Sequence, residues 1–215
     1  MTFIIVTNRK GLKMIVPVNK RDLATLANIA DGKNPGVTSV VEASYKDGVF
    51  TLAATDADIV AVIIQPGYTP DDIQLLNTDF ESYYLYSDSL KEALKKIPRS
   101  KRTVYLSIER ETCELVTDET TYEIDMRSVK DPALVSRYAK LRDDHRYYDK
   151  PTACNIKSKV LAKAVKAAHD LTYSETIEFR VLKRATSPVL QWISARPDRG
   201  YMKVVTVAKY AFKED

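Results

Sequence analysis

The sequence is poor in residues that build disulfide scaffolds and metal centres. Its 215 residues include two cysteines, Cys113 and Cys154, and two histidines, His145 and His169. Two cysteines are too few for a secreted disulfide scaffold or a cysteine-rich zinc site, so we expect free thiols in a reducing compartment. The sequence has no metal-ligand spacing and no phosphate-binding loop. These absences argue against a secreted or zinc-dependent protein.

Long apolar runs are also missing. No stretch of the sequence approaches the roughly 20 apolar residues that cross a bilayer. The apolar segment 3–6 is too short for the core of a signal peptide, and no basic region precedes it. We therefore expect a cytoplasmic protein, or a nuclear one in a eukaryote, with no membrane-bound segment.

Charge is unevenly distributed along a chain whose net charge is +4. Residues 1–128 contain 15 basic and 19 acidic side chains, whereas residues 129–215 contain 18 basic and 10 acidic ones. The C-terminal part therefore has the charge to face a polyanion. The alternative is a lysine-rich surface that contacts only solvent.

One order of elements, a strand, a helix and then three strands, recurs three times along the chain. The apolar residues of each helix stand at i, i+3, i+4 and i+7, which is the spacing of a helix with one buried face. Leu23, Leu90 and Leu161 begin these stripes, 67 and 71 residues apart. Ser87 and Ser158 are placed to cap the second and third helices. The regular spacing indicates homologous β-α-β-β-β units.

The bounds of the three units follow from the periodicity and from turn residues such as Asp47-Gly48. The first unit is predicted to have strands at 12–18, 38–46, 49–56 and 59–65 and a helix at 20–31. The second is predicted to have strands at 83–86, 103–109, 113–117 and 122–126 and a helix at 87–97. The third is predicted to have strands at 153–156, 176–182, 189–195 and 202–208 and a helix that begins near 158.

Residues 129–152 do not fit the repeat. Asp131-Pro132 is a plausible helix start, and Leu134, Tyr138 and Leu141 form an apolar stripe after it. The segment is either a connector or a unit that has lost its strands. We expect a first domain at 1–128 with a linker at about 66–82, then this segment at 129–152, and a second, reduced domain at 153–215.

The polar faces of the predicted helices are basic, and increasingly so along the chain. On the third helix, Lys159, Lys163 and Lys166 point away from the apolar stripe, and no acidic residue of that helix shares their sector before Asp170. Such a ridge can hold phosphates without reading bases. The other basic residues assigned to this surface are Arg21, Lys91, Lys95 and Arg99.

The sequence shows no recognisable set of catalytic residues. The pairs Asp56/Asp58 and Asp71/Asp72 could bind a divalent cation, and a nucleic-acid-modifying enzyme using Asp56 and Asp58 is the rival hypothesis from the enzyme class. Because these residues stand next to Thr, Gly and Pro, they are more typical of turns. Cys113 lies in a strand and is interpreted as a small buried hydrophobe. We therefore expect neither enzymatic activity nor a cofactor.

Three stretches resemble the DNA sliding clamps, the ring proteins that include the bacterial beta clamp and proliferating cell nuclear antigen. Residues 50–59, with Ala-Thr-Asp near the end of a strand, are similar to the bacterial clamp. Residues 87–98 are similar to the second helix of a clamp's first domain. The basic C-terminal run 200–215 is similar to the end of the nuclear-antigen type.

The resemblance implies an α+β fold of repeated β-α-β-β-β units, with helices on one face of antiparallel sheets. It implies a non-enzymatic, ring-forming processivity factor that encircles duplex DNA without sequence preference and tethers the replicative polymerase, loaded by a clamp loader. A homotrimer is expected if residues 132–147 supply the helix of a reduced unit. The compact length suggests a viral member, such as one from a phage, in the host cytoplasm. The alternative is a polymerase accessory protein that forms no ring and holds DNA on one basic face.

Overall fold

The structure is a computed structural model that describes residues 13–30, 36–46, 49–66, 82–109, 112–129, 158–172, 179–183, 188–196 and 201–207. Within these ranges the chain forms eleven strands, three α-helices and a short 3-10 helix at Val37–Ser39. The first unit contains β1 (Lys13–Asn19), α1 (Lys20–Ile29), β2 (Val40–Lys46), β3 (Val49–Thr55) and β4 (Ile59–Pro66). The second contains β5 (Tyr83–Tyr86), α2 (Ser87–Lys96), β6 (Thr103–Glu109), β7 (Thr112–Val116) and β8 (Thr121–Ile124). The third contains α3 (Ser158–Thr172), β9 (Phe179–Lys183), β10 (Pro188–Arg196) and β11 (Tyr201–Val207).

The strands form two antiparallel sheets. One sheet has four strands in the order β1-β6-β7-β8, and the other has seven in the order β5-β2-β3-β4-β11-β10-β9. Each pair of neighbouring strands is antiparallel. The predicted α+β class is confirmed, and so is the β-α-β-β-β order of the first two units; the third unit shows its helix and the three strands that follow it.

The first two units exchange their first strands. β1 pairs with β6 of the second unit, with Val16 opposite Leu106, and β5 pairs with β2 of the first unit, with Leu85 opposite Val41. Among the described strands β1 lies at the edge of its sheet, where Pro17 can stand without removing a hydrogen bond from a central ladder. Because each unit completes the sheet of the other, the two units fold as one body.

The third unit joins the first through their last strands. β11 pairs antiparallel with β4, and Val205 stands opposite Ala61. Both side chains are buried. The seven-stranded sheet is therefore continuous from the first unit into the third.

The three helices lie side by side in the order α2-α1-α3 and contact the sheets with their apolar faces. Leu23, Leu26, Leu90 and Leu171 are fully buried at these contacts. Burying each such side chain contributes about 1.5–3 kcal/mol to stability. None of the three helices in the described ranges is both long and apolar enough to cross a membrane.

The buried face of α3 is rotated from the predicted one. The sequence pattern placed Leu161 and Val165 in the apolar stripe, but Val165 is 42% exposed and Leu161 is only partly buried. Val160 and Ala167 are buried instead. The reason is that α3 packs against both β11 and α1, so the flank that faces α1 is buried as well.

The predicted cap at Ser87 is wrong. Ser87 is the first residue of α2, Tyr86 occupies the cap position, and no side chain caps the helix there. Ser158 is the first described residue of α3, and its capping role stays a prediction. The predicted strand 153–156, the segment 132–147 and most of the linker 66–82 lie outside the described residues. So do Cys154, Asp71, Asp72 and the C-terminal tail.

Candidate nucleic-acid interface

The row of helices brings most of the predicted basic residues to one layer of the molecule. Exposed side chains are Arg21 on α1, Lys95 on α2, Arg99 just after α2, and Lys159, Lys163 and Lys166 on α3. Lys91 is half-buried on α2. The predicted set thus lies on three adjacent elements, although its members differ in their partners.

Local contacts fix the position of α1 within this row. Asn19 caps the helix, and its Oδ1 accepts a hydrogen bond from the backbone N–H of Arg21 at 2.9 Å. Lys20 donates from Nζ to the carbonyl of Ile97 at 2.6 Å and to that of Pro98 at 3.2 Å. Burial, followed by the charge of Arg99, lowers the pKa of Lys20. Lys20 therefore joins α1 to the end of α2.

Two of the three lysines of α3 have acidic partners, contrary to the unpaired ridge that the sequence suggested. Lys163 forms ion pairs with Asp56 and with Asp58, the latter with 3.3 Å between Nζ and Oδ2. Lys166 forms an ion pair with Asp170, with 2.7 Å between Nζ and Oδ2. The expectation failed because Asp56 and Asp58 come from the turn between β3 and β4, which reaches α3 only in the folded chain.

Asp170 also joins α3 to α1. Its Oδ1 lies 3.4 Å from Nη2 of Arg21, while its Oδ2 accepts from Lys166. Partial burial acts to raise the pKa of Asp170, but the hydrogen bonds and charges of Lys166 and Arg21 outweigh it and hold the pKa below its ordinary value. Asp170 is therefore an anion that bridges two cations of the helix layer.

A turn holds Asp56 in place. Its Oδ1 accepts from the backbone N–H groups of Asp58 and Ile59, each at 2.9 Å. Thr55 donates from Oγ1 to the carbonyl of Ile59 at 2.7 Å, and Ala57 adopts a positive φ of 77° at the tip. The turn role predicted for Asp56 and Asp58 is thus present. The described residues contain no group of three acidic, histidine or cysteine side chains placed to hold a metal.

Lys91 and Lys95, the predicted residues of α2, are paired within their own helix. Lys95 lies 2.7 Å from Oε1 of Glu92, and both side chains are well exposed. Lys91 lies 3.3 Å from Oδ1 of Asp88 and also donates to the carbonyl of Ala30 at 3.4 Å. Lys91 therefore sits against the end of α1, whereas Lys95 extends into solvent.

The sequence analysis did not predict that Asp56, Asp58 and Asp170 pair with the lysines of α3. Lys163 stands 107 residues from Asp56 and 105 from Asp58, so no local pattern links them. Asp170 could have been found, because it stands four residues after Lys166, the spacing at which helical side chains meet. Thr25, one turn after Arg21 on α1, is buried and donates from Oγ1 to the carbonyl of Arg21 at 3.0 Å.

No protein-family model and no curated protein matches the sequence. The solved structures to which the chain is similar include the DNA polymerase sliding clamp of Bacillus subtilis, with 14% identity and a TM-score of 0.46 over 99% of this chain. They also include the DNA polymerase III beta chain of Streptococcus pneumoniae, with 12% identity and a TM-score of 0.45 over 100% of this chain. A third is the beta subunit from Thermotoga maritima, with 14% identity and a TM-score of 0.40 over 85% of this chain.

The chain spans about half the length of these proteins: 53% of the Bacillus, 52% of the Streptococcus and 47% of the Thermotoga protein. The likeness concerns the fold, and their activity and assembly belong to those larger proteins. The chain is similar to these bacterial beta sliding clamps over about half of their length.

Proposed function

We propose that this chain is the subunit of a DNA sliding clamp, a ring that encloses duplex DNA and tethers a polymerase. The observation that carries the proposal is the row α2-α1-α3, which presents Arg21, Lys95, Lys163 and Lys166 on neighbouring helices. A layer of cations supplies contacts to phosphates, which are the same in every sequence. Direct affinity for DNA should be weak and sensitive to salt.

The arrangement of the sheets is consistent with a protein wall around the DNA. The seven-stranded sheet runs from the first unit into the third, so the helices rest on a continuous backing. As a clamp, the chain would act by enclosing DNA and not by catalysis, and the proposal includes no cofactor. The polymerase and the clamp loader are the partners we expect.

Ring closure is proposed at the last strand of the second unit. The last strands of the first and third units, β4 and β11, pair with each other. β8 is the corresponding strand of the second unit and forms the edge of its sheet among the described strands. An open edge can pair with a strand of another chain. We propose that β8 pairs head-to-tail with a neighbouring copy, in an arrangement that closes.

We propose a homotrimer, provided that residues 129–152 supply a reduced unit. Each chain then has four units and two domains, and three chains supply twelve helices. The acidic part of one chain, residues 1–128, would attract the basic part of the next chain, residues 129–215, although salt screens this attraction. Light scattering in moderate salt should give the mass of three chains of 24.3 kDa each. A mass of two or four chains contradicts the trimer.

Charge reversal tests the DNA-facing surface. The triple variant Lys159→Glu, Lys163→Glu, Lys166→Glu should lose clamp-dependent stimulation of the polymerase while keeping its fold, with smaller losses for Lys95→Glu and Arg99→Glu. The single change Lys166→Glu has a matched control in Lys101→Glu, which lies in the connection from α2 to β6. Normal stimulation by the triple variant would show that the α3 face does not meet DNA.

The topology of binding separates a ring from an accessory protein that holds DNA on one face. A ring loaded on circular DNA should remain bound and should leave linear DNA over the free ends. Equal retention on circular and linear DNA would favour the open, one-sided binder.

A further inference from the structure

The cations at the junction of α1 and α3 are held by carboxylates from different parts of the chain. Asp56 and Asp58 bind Lys163, and Asp170 binds both Lys166 and Arg21. The same surface contains a fourth cation, Lys159, which lies one turn before Lys163. Three carboxylates therefore stand among four cations of α1 and α3. The local net charge is therefore +1, where the cations alone would give +4.

The carboxylates are fixed more firmly than the lysines. The Asp56 side chain is 9% exposed, and its Oδ1 is held by two backbone N–H groups of its turn. The side chains of Lys163 and Lys166 are 42% and 78% exposed, and each ends a flexible stem. A phosphate that approaches this face can therefore attract the lysines outward only in competition with fixed anions.

The packing leaves room for that exchange. A cavity of about 170 Å³ lies between α1, the β3–β4 turn and α3. Its lining includes Thr25, Asn28, Asp56, Lys163 and Asp170. The ion pairs thus border open space and are not sealed in the core.

We propose that Asp56, Asp58 and Asp170 set the affinity of the α3 lysines for DNA by holding Lys163 and Lys166 in competition with phosphate. This inference rests on the proposed function, because it assigns a role to acidic residues at the same surface. The three aspartates are positioning residues that keep the direct hold on DNA weak. A clamp with weak phosphate contacts moves along the duplex without strong pauses.

Removal of single carboxylates tests the inference. Asp58→Asn and Asp170→Asn each remove one partner, and their combination removes both. The control Asp118→Asn removes a carboxylate that pairs with Lys101 at 2.6 Å, a pair that lies outside the α1–α3 junction. Binding to a short fluorescein-labelled duplex is measured by anisotropy over a range of salt concentrations, and circular dichroism checks the fold.

Asp170→Asn should tighten binding about two- to fivefold, the range that an exposed ion pair supports, and Asp58→Asn should tighten it less, because Asp56 still holds Lys163. The plot of log affinity against log salt should become steeper by up to about 0.9 for each lysine freed to contact a phosphate. Asp118→Asn should bind like the unmodified protein. Unchanged affinity and salt slope for the double variant, or an equal gain for Asp118→Asn, would overturn the inference.

Failure of the proposed function gives a different result. If α3 does not face DNA, the triple Lys→Glu variant binds the duplex as well as the unmodified protein does. If α3 faces DNA but the aspartates do not compete, the triple variant binds more weakly while Asp58→Asn and Asp170→Asn match the control. Asp58 is 54% exposed, so its replacement provides the test in which folding is least at risk.

Discussion

Nζ of Lys203 on β11 lies 2.7 Å from Oδ2 and 2.9 Å from Oδ1 of Asp22 on α1. The two residues are 181 positions apart, and both side chains are nearly inaccessible to solvent. Lys203 also donates to the carbonyl of Leu171 in the last turn of α3, at 2.8 Å. One ammonium group therefore joins the first helix, the third helix and the last strand.

The Asp22–Lys203 ion pair should be costly to break from one side. Lys203→Met leaves the Asp22 carboxylate buried without this cation, so we expect a loss of about 3–5 kcal/mol in the free energy of unfolding. The double variant Asp22→Leu, Lys203→Met should recover much of that loss, because it leaves no isolated charge. Urea unfolding of both variants and of Asp22→Leu measures this coupling. Equal losses in the single and double variants would show that the pair does not act as a unit.

Alanine substitution at the start of α1 should destabilise the protein, whereas alanine substitution at the start of α2 should not. Asn19→Ala removes a side-chain cap, which should cost about 1 kcal/mol. Ser87→Ala removes a buried hydroxyl that has no hydrogen-bond partner within the described structure, so it should be neutral or slightly stabilising. Thermal unfolding of the two variants makes the comparison. A clear loss for Ser87→Ala would mean that its hydroxyl has a partner.

The ion pairs at the α1–α3 junction should stabilise the fold over a wide pH range. The pKa of Asp170 lies below its ordinary 3.8, so its contribution is present above that pH and is lost as pH falls through the folded value. Hydrogen bonding to Asp56 raises the pKa of Lys163 above its ordinary 10.5, partial burial opposing it, so that contribution is present below 10.5 and is lost at higher pH. Between these limits the pairs are intact.

Asp170→Asn tests the acid limit. The difference in unfolding free energy from the unmodified protein should be below about 1 kcal/mol near neutral pH, because the pairs are partly exposed. It should shrink as pH falls below 3.8. Urea titrations at several pH values measure it. A difference that is independent of pH would contradict the assigned role of the carboxylate.

The thiol of Cys113 should be unreactive in the folded protein. It is fully buried on β7, and burial, followed by the charge of Glu114, raises its pKa to about 12. The native thiolate is therefore scarcer than in an exposed cysteine by roughly a thousandfold at neutral pH. In a Cys154→Ser background, Ellman's reagent should react slowly with the native protein and fast after unfolding. Rapid reaction of the native protein would show that β7 opens readily.

Element type and order could be predicted because they depend on neighbouring residues. The stripe that begins at Leu90 identifies α2, and the bounds Tyr83–Tyr86 and Thr103–Glu109 of β5 and β6 agree with the prediction. The stripe of α3 was misplaced, because i, i+3, i+4 spacing fits two adjacent faces of a helix rich in alanine. Which of those faces is buried depends on the neighbouring helix α1.

The candidate surface was predictable only in part. The basic residues of α3 follow from helical periodicity, which is local. Their partnership with Asp56 and Asp58 could not be predicted, because it joins residues more than a hundred positions apart.

The sequence by itself determined the repeated β-α-β-β-β units and the basic faces of their helices, since both are set by side-chain periodicity within about twenty residues. The tertiary structure alone decided the exchange of β1 and β5, the β4–β11 junction and the ion pairs of Asp22 and Asp56. The apolar and polar alternation of each strand is compatible with any antiparallel neighbour, so the local sequence does not select the partner strand. Only the burial of all the apolar faces together selects one arrangement.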